Sequence, residues 1–282
     1  MSVVIGIDVG GSTTKIVGYT DKEKLVSRLK VEATDPVTSV YGALGKFINE
    51  NNLSLKDVSR IILTGVGAGL FKKKIYGLPT QTVDEFRAIG LGGLALSGKS
   101  EGLIVSMGTG TAFVRAGKQG IVHIGGSGVG GGTVQGLCGK MCGASSFKTV
   151  IDMAQTGNLA KVDLEIKDIS TAKIPTLPPD TTASNFGKME DSACHEDITL
   201  GILNMVFQTI GMMAVFACRN DQVKDVILTG TLSQVPFAKK VFQSLHKMHG
   251  VRFIIPKDAL YATATGAALS YLYQCRRKNG RS

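Results

Sequence analysis

The chain has 282 residues, 43% of them hydrophobic and 19% charged, a balance that buries a core and excludes a disordered chain. Its formal net charge of +10 favours anionic partners, yet Lys and Arg are scattered apart from the short runs Lys72-Lys73-Lys74 and Arg276-Arg277-Lys278. No aromatic residues interleave these runs, so nucleic acid is not expected as a partner. Five cysteines without paired spacing exclude a disulfide framework. Residues 3–9 are too short for a leader, and no apolar run reaches about 18 residues, so the expectation is a cytoplasmic chain without a membrane span.

In chain order, residues 3–9 are a β-branched run, and 13–19 and 25–31 read as two further strands joined by tight turns. Pro36 opens a helix with Val37, Val40, Leu44, Phe47 and Ile48 at helical spacing. Residues 60–63 are a buried strand. A helix runs from near Asp84 through Leu94, and its Gly90, Gly92 and Gly93 each cost about 1 kcal/mol relative to Ala; close packing or a break is expected there. The order then repeats: strands at 102–107, 111–116 and 120–124, a glycine tract at 125–132, and a helix through Met141. Residues 166–184, with Pro175, Pro178 and Pro179, read as a long loop. A long apolar helix at 198–218, a strand at 226–228, a helix at 233–248, a strand at 251–255 and a closing helix at 261–273 complete the chain. A β-β-β unit followed by α/β alternation thus occurs twice, which implies two α/β lobes with a cleft between them.

Three glycine turns carry the chemistry. Asp8-Val9-Gly10-Gly11-Ser12-Thr13-Thr14-Lys15 combines a carboxylate at a strand end with turn amides, hydroxyls and an ammonium group. Such a set clamps a phosphate, and Asp8 can hold a hydrated magnesium ion. The Walker pattern is missing, so this is not a P-loop. Ser106-Met107-Gly108-Thr109-Gly110-Thr111 repeats the logic at the start of the second unit. Leu228-Thr229-Gly230-Thr231 places a third strand-end glycine where a base or ribose can lie on backbone. A single such turn reads equally well as a plain hairpin; recurrence at matching places is the stronger signal. Cys138-x-x-x-Cys142 lacks the further ligands that a zinc or iron–sulfur site needs, and both thiols read as structural.

Together the turns resemble the phosphate-1, phosphate-2 and adenosine motifs of the sugar-kinase/actin superfamily. The ordered series Asp8-Val-Gly-Gly-Ser-x-x-Lys15, Gly125-Gly-x-Gly-x-Gly-Gly-Gly132, Gln135-Gly136-Leu137, Asp152-Met-Ala-x-x-Gly157, Val162-Asp-Leu164 and Ala183-Ser-Asn-Phe-Gly187 resembles type II pantothenate kinase. That resemblance covers about residues 3–273 and is most specific over 152–187. It implies two ribonuclease-H-like lobes of the actin-like ATPase fold, an N-terminal lobe over 1–100 and a C-terminal lobe over 101–282. It further implies ATP and Mg²⁺, a small hydroxyl substrate and a homodimer.

By the same resemblance, Glu85 is the catalytic base that deprotonates the attacking hydroxyl. Asp8, Gly10, Gly11, Ser12, Thr13, Lys15, Thr109, Gly131, Gly132, Thr133, Val134, Gln135, Phe147 and Thr231 contact the nucleotide. A helix opening at the glycine tract also suits phosphate physically. Glu85, Thr109 and His123 face the acceptor. His123 departs from the family, which has Arg there. Neutral His is a weaker anion partner, so pantetheine or another neutral alcohol stands beside pantothenate, and Arg115 is a candidate to compensate. A different class, the dehydratase-activating ATPases, carries an iron–sulfur cluster at a dimer interface, an arrangement that Cys138 and Cys142 do not reproduce.

Overall fold

The computed structural model describes residues 2–279 apart from 12, 33–34, 173, 175–176 and 220–222. Ser12 of the first turn and Pro175 of the expected loop therefore lie outside the described residues. The first sheet starts as an antiparallel meander, β1 (Val3–Val9), β2 (Thr13–Thr20) and β3 (Leu25–Glu32). Helix α1 (Pro36–Glu50) leads to β4 (Val58–Thr64) and β5 (Thr80–Thr82), which extend the sheet in parallel to β1. Its strand order is β3-β2-β1-β4-β5. Asp35 starts α1 by accepting a hydrogen bond from the Thr38 amide at 2.6 Å, with Pro36 in the first turn, where no amide is required.

Helix α2 (Glu85–Ser97) carries the chain to the second sheet. There β6 (Gly102–Met107), β7 (Thr111–Gly117) and β8 (Gly120–Ser127) repeat the meander. Helices α3 (Gly131–Cys142) and α4 (Phe147–Ala154) follow, then β9 (Leu164–Glu165), α5 (Ile166–Ile169) and β10 (Thr182–Ser184). The chain closes with α6 (His195–Arg219), β11 (Asp225–Thr229), α7 (Pro236–His249), β12 (Arg252–Ile254) and α8 (Ala262–Asn279). The order β12-β11-β6-β7-β8 matches that of the first sheet, strand for strand. The twofold reading of the sequence is therefore the architecture.

Several elements differ from the sequence reading. The span 166–184 is not an open loop: it holds α5 and β10, and β10 pairs with β9. Its organiser is Asp163, a fully buried carboxylate. Asp163 accepts from the Phe186 amide at 2.9 Å, from Asn204 Nδ2 at 2.7 Å, from Asn185 Nδ2 at 3.3 Å and from Thr182 Oγ1 at 3.2 Å. Paired in this way, the buried charge is tolerated and ties the excursion to α6. Gly125 and Gly126 are strand rather than loop, opposite Phe113 and Ala112. Helix α6 is long and apolar enough to cross a bilayer, unlike the expectation from the sequence, but 61% of its most apolar window is buried within the protein. Its Leu203, Phe207, Ile210 and Ala214 sit in the core behind the second sheet.

The two sheets are joined through two helices. Helix α8, last in the chain, lies on the first sheet, with Ala264, Ala268 and Leu272 against Val4, Val17 and Ile62. Helix α2 lies on the second sheet, with Ile89 and Phe86 against Ile104, Val114 and Ile227. The helices cross each other at glycine. A methyl group on Gly92 would stand 1.7 Å from the Ala262 carbonyl oxygen, and one on Gly266 would stand 1.8 Å from that of Ala88. The expected outcome for the α2 glycines is thus close packing, with the helix unbroken.

Gly92→Ala is expected to destabilise the fold. The helix-propensity gain of about 1 kcal/mol is outweighed by a clash with backbone that no rotamer relieves, at about 1–3 kcal/mol or more. A urea midpoint equal to or above the wild-type value would refute this close contact.

Candidate active site

The cleft between the lobes has a volume of about 410 Å³ and is built largely from strand ends. At the first turn, the Gly10 amide donates to the Thr13 carbonyl at 3.2 Å, closing the hairpin between β1 and β2. At the second, a Cβ on Gly110 would lie 2.9 Å from the Ser127 carbonyl oxygen. At the third, Gly230 has φ 86°, and a Cβ there would lie 2.6 Å from the Met107 carbonyl oxygen. Only glycine fits this left-handed close approach. The second and third turns thereby lean on each other, since β6 and β11 are adjacent.

Asp8 and Lys15 face each other across the β1–β2 ladder, with Lys15 Nζ 3.6 Å from Asp8 Oδ2. Burial pushes the Asp8 carboxyl above its ordinary range, and the Lys15 ammonium pulls it part of the way back. Glu85 opens α2 directly after Asp84, whose side chain caps the helix by accepting from the Arg87 amide at 2.8 Å. This separates the two acids: Asp84 is the cap, and Glu85 lines the cleft. Burial raises the Glu85 carboxyl, the charges of Asp8 and Asp84 raise it further, and Lys15 opposes them. A carboxyl raised in this way is poised to take a proton.

Next to Glu85, the rings of Phe86 and His123 stack at 3.8 Å with planes 9° apart. His123 stands opposite Val114, on the α2 side of the second sheet. Alternation along β7 puts Arg115 on the other face with Phe113, so Arg115 is not among the residues that line the cleft.

Of the residues singled out from the sequence, Asp8, Gly10, Gly11, Thr13, Lys15, Glu85, Thr109, His123 and Thr231 all meet in this cleft. Gly131, Gly132, Thr133, Val134, Gln135 and Phe147 are not among the residues that line it. The amides of Gly131 and Gly132 donate to the carbonyls of Gly108 and Thr109, both at 2.8 Å, and so brace the second turn. Val134 is fully buried, and Phe147 packs on the core of the second lobe. The block 152–187 does not line the cleft either; it is organised around Asp163. Cys138 and Cys142 are buried within the same core as Phe147 or beside it, and burial first, then the neighbouring Cys142, pushes the Cys138 thiol up to about 12.

The sequence reading missed a fourth turn, Thr64-Gly65-Val66-Gly67, of which Val66 lines the cleft. A signal for it exists. Ile62-Leu63-Thr64-Gly65 at the end of β4 is repeated as Ile227-Leu228-Thr229-Gly230 at the end of β11, the equivalent strand of the other sheet. Both glycines have positive φ, 88° and 86°. Phe86, Leu260 and Thr263 are further lining residues that no motif announced. A larger hollow of about 700 Å³ lies between α6, α7 and the β9–β10 excursion, remote from the glycine turns.

A family model described as Fumble matches residues 102–244. Over 274 residues the chain is 26% identical to the type II pantothenate kinase of Staphylococcus aureus strain USA300, covering 93% of this chain and 97% of the relative. Among solved structures, the activator of the 2-hydroxyisocaproyl-CoA dehydratase from Clostridium difficile, with bound ADPNP, superposes with a TM-score of 0.69 at 14% identity, covering 99% of this chain and 98% of that one. A ROK family protein from Streptococcus pneumoniae, in complex with sucrose, superposes with a TM-score of 0.60 at 12% identity, covering 98% and 99%. These likenesses establish the two-lobed actin-like ATPase fold.

Because the folded state holds the Glu85 carboxyl above its unfolded value, ionising it costs stability. That cost is zero below the unfolded value, builds as pH rises towards the folded value, and is complete above it. Glu85→Gln should therefore melt higher than the wild type near about pH 8, with the gap closing towards about pH 4. A gap that does not change with pH would argue against a raised carboxyl.

Proposed function

Because the chain belongs to the Fumble family, the family of the pantothenate kinases, we propose that it is an ATP-dependent phosphotransferase acting on an alcohol group, which phosphorylates pantothenate to 4'-phosphopantothenate in coenzyme A biosynthesis. The observation that carries this reading is the meeting, in one cleft, of the Asp8–Lys15 pair, the three glycine turns and a carboxyl raised at Glu85. Backbone amides and the hydroxyls of Thr13 and Thr109 cradle phosphate oxygens, Lys15 adds charge, and the turn at Gly230 and Thr231 takes the adenosine. Glu85 accepts the proton of the acceptor hydroxyl as its oxygen attacks the γ-phosphate in line, without a covalent enzyme intermediate. Gly131 and Gly132 act through the second turn, which their amides hold in place.

Asp8 suits a magnesium ion. Its carboxylate faces Lys15 through one oxygen, 3.6 Å from Nζ, so it keeps lone pairs for a hydrated cation that takes few carboxylates and completes its shell with phosphate and water. When bound, magnesium neutralises charge on the phosphates. Among the described residues no group of three or more His, Cys, Asp and Glu forms an all-protein cage.

The acceptor side is walled by His123 and Phe86. One observation favours a neutral alcohol such as pantetheine as a second reading: the imidazole is stacked flat on Phe86, so an aromatic surface stands where the family has Arg. An ATP-driven switch of the kind that carries an iron–sulfur cluster at its surface is disfavoured by the burial of Cys138 and Cys142. A homodimer in the cytoplasm completes the reading; the assembly rests on family resemblance and the compartment on cysteines whose spacing does not suit a disulfide framework, and light scattering tests the assembly.

ATP consumption with pantothenate, pantetheine and several sugars is the deciding panel; if none is phosphorylated, the kinase reading fails. Glu85→Gln should lower turnover by about 10²- to 10⁴-fold while ATP still binds. Near-normal turnover in that variant would remove Glu85 from the mechanism. His123→Arg should raise turnover of pantothenate relative to pantetheine, and an unchanged ratio would count against His123 as the acceptor-side determinant.

A further inference from the structure

The described residues contain a buried hydroxyl without a partner in the strip of the first sheet that carries the chemistry. Thr64 is fully buried, and its Oγ1 has no hydrogen-bond partner among the described residues. A buried hydroxyl left unbonded is a desolvation cost to the fold unless it is used, and its position suggests the use. In the parallel ladder Thr64 stands directly beside Asp8, while Lys15 stands on the other side of Asp8. Val4, four residues before Asp8, and Ile62, two before Thr64, pack together against α8, so by alternation Asp8 and Thr64 face the same side, that of the inter-lobe helices. On the far side of β4, the Val83 amide bonds the Leu63 carbonyl at 2.9 Å, two residues before Glu85. Thr64 therefore lies between the strand that carries Asp8 and the segment that delivers Glu85.

The next residue reserves room for Asp8. A Cβ on Gly65 would lie 2.7 Å from Asp8 Oδ1, so the carboxylate rests over the bare backbone of this turn. The Gly67 amide holds the turn in place by donating to the Val9 carbonyl at 3.0 Å.

The duplicated half supplies an internal control. Thr229 occupies the equivalent place in the second sheet, within the same Ile-Leu-Thr-Gly tetrapeptide, and stands beside Ser106 as Thr64 stands beside Asp8. Thr229 Oγ1 donates to the Val105 carbonyl at 3.5 Å, whereas Thr64 Oγ1 has no such bond. The same residue in the same fold position is spent on backbone where its neighbour is Ser106, and left unspent where its neighbour is a carboxylate.

We propose that Thr64 is a positioning residue for the magnesium–nucleotide site: its hydroxyl donates to the Asp8 carboxylate when that carboxylate bears the metal, and Gly65 leaves the space in which Asp8 sits. The inference rests on the proposed role of Asp8. Groups that orient a metal-ligating carboxylate typically account for about 10- to 100-fold in metal affinity.

The test is calorimetry of a non-hydrolysable ATP analogue with and without Mg²⁺, on wild type, Thr64→Val, Thr64→Ala and Thr64→Ser, with melting curves of each. Removing the hydroxyl should cut the Mg²⁺-dependent gain in analogue affinity by about 10- to 100-fold and leave Mg²⁺-free binding unchanged. Thr64→Ser should restore the gain. Thr64→Val should melt no lower than wild type, because a methyl group replaces an unbonded hydroxyl of the same shape; Thr64→Ala serves if valine does not fit. A hydroxyl-free variant with the full wild-type gain overturns the inference and leaves the kinase reading standing. A wild type whose analogue affinity ignores Mg²⁺ overturns the metal role of Asp8 and this inference together.

Discussion

The contact on which the rest depends is the crossing of α2 and α8 at Gly92 and Gly266, where each helix lies against the other's backbone. It is the centre of a four-layer stack. Gly6 of β1 lies under the Ala264 carbonyl, α8 lies under α2, and Gly93 of α2 lies against Ile104 of the second sheet. Glycine and alanine along this column let sheet, helix, helix and sheet approach more closely than larger side chains permit. The consequence reaches the chemistry. Glu85 is the first residue of α2, so its distance from Asp8 on the first sheet and from His123 on the second is set by how deeply α2 is seated.

Within that frame the cleft works against stability. Asp8, Glu85 and Asp84 place three acidic groups near one another, with Lys15 as the cation that moderates the first two. Burial raises both cleft carboxyls, which costs the folded protein at neutral pH and suits the metal–phosphate and general-base roles proposed for them. Where the protein buries a charge for structure alone, it surrounds it instead: Asp163 has four donors. The contrast between a fully bonded carboxylate and two under-bonded ones separates scaffold from site.

The two sheets repeat one strand order and differ at the end of the central strand. The first sheet has Asp8 there; the second has Ser106, on the strand that pairs with β11 and its Gly230 turn. The symmetry of the backbone turns is thus broken in the side chains, with a charged group at this position in one half and a neutral one in the other. The strand-end glycines remain on both sides because the close approaches at Gly65 and Gly230 are backbone constraints common to both halves.

The repeated β-β-β pattern, most helices and strands, and the glycine turns are legible in the amino-acid order, because alternation, helical periodicity and glycine clustering are local signals. It also brought out Glu85 and His123 through family resemblance, and both line the cleft. It did not reveal β5, three residues long, or α4, or the ordered excursion around Asp163, whose carboxylate draws partners from residues 182 to 204. Three features emerge only in the folded chain: Gly131 and Gly132 spend their amides on the second turn, Arg115 lies on the sheet face away from the cleft, and the last helix returns to the first sheet. The physical reason is the same in each case. Which donor meets which acceptor, and which glycine lies under which carbonyl, depends on elements far apart in the chain being packed together, and no local pattern records that packing.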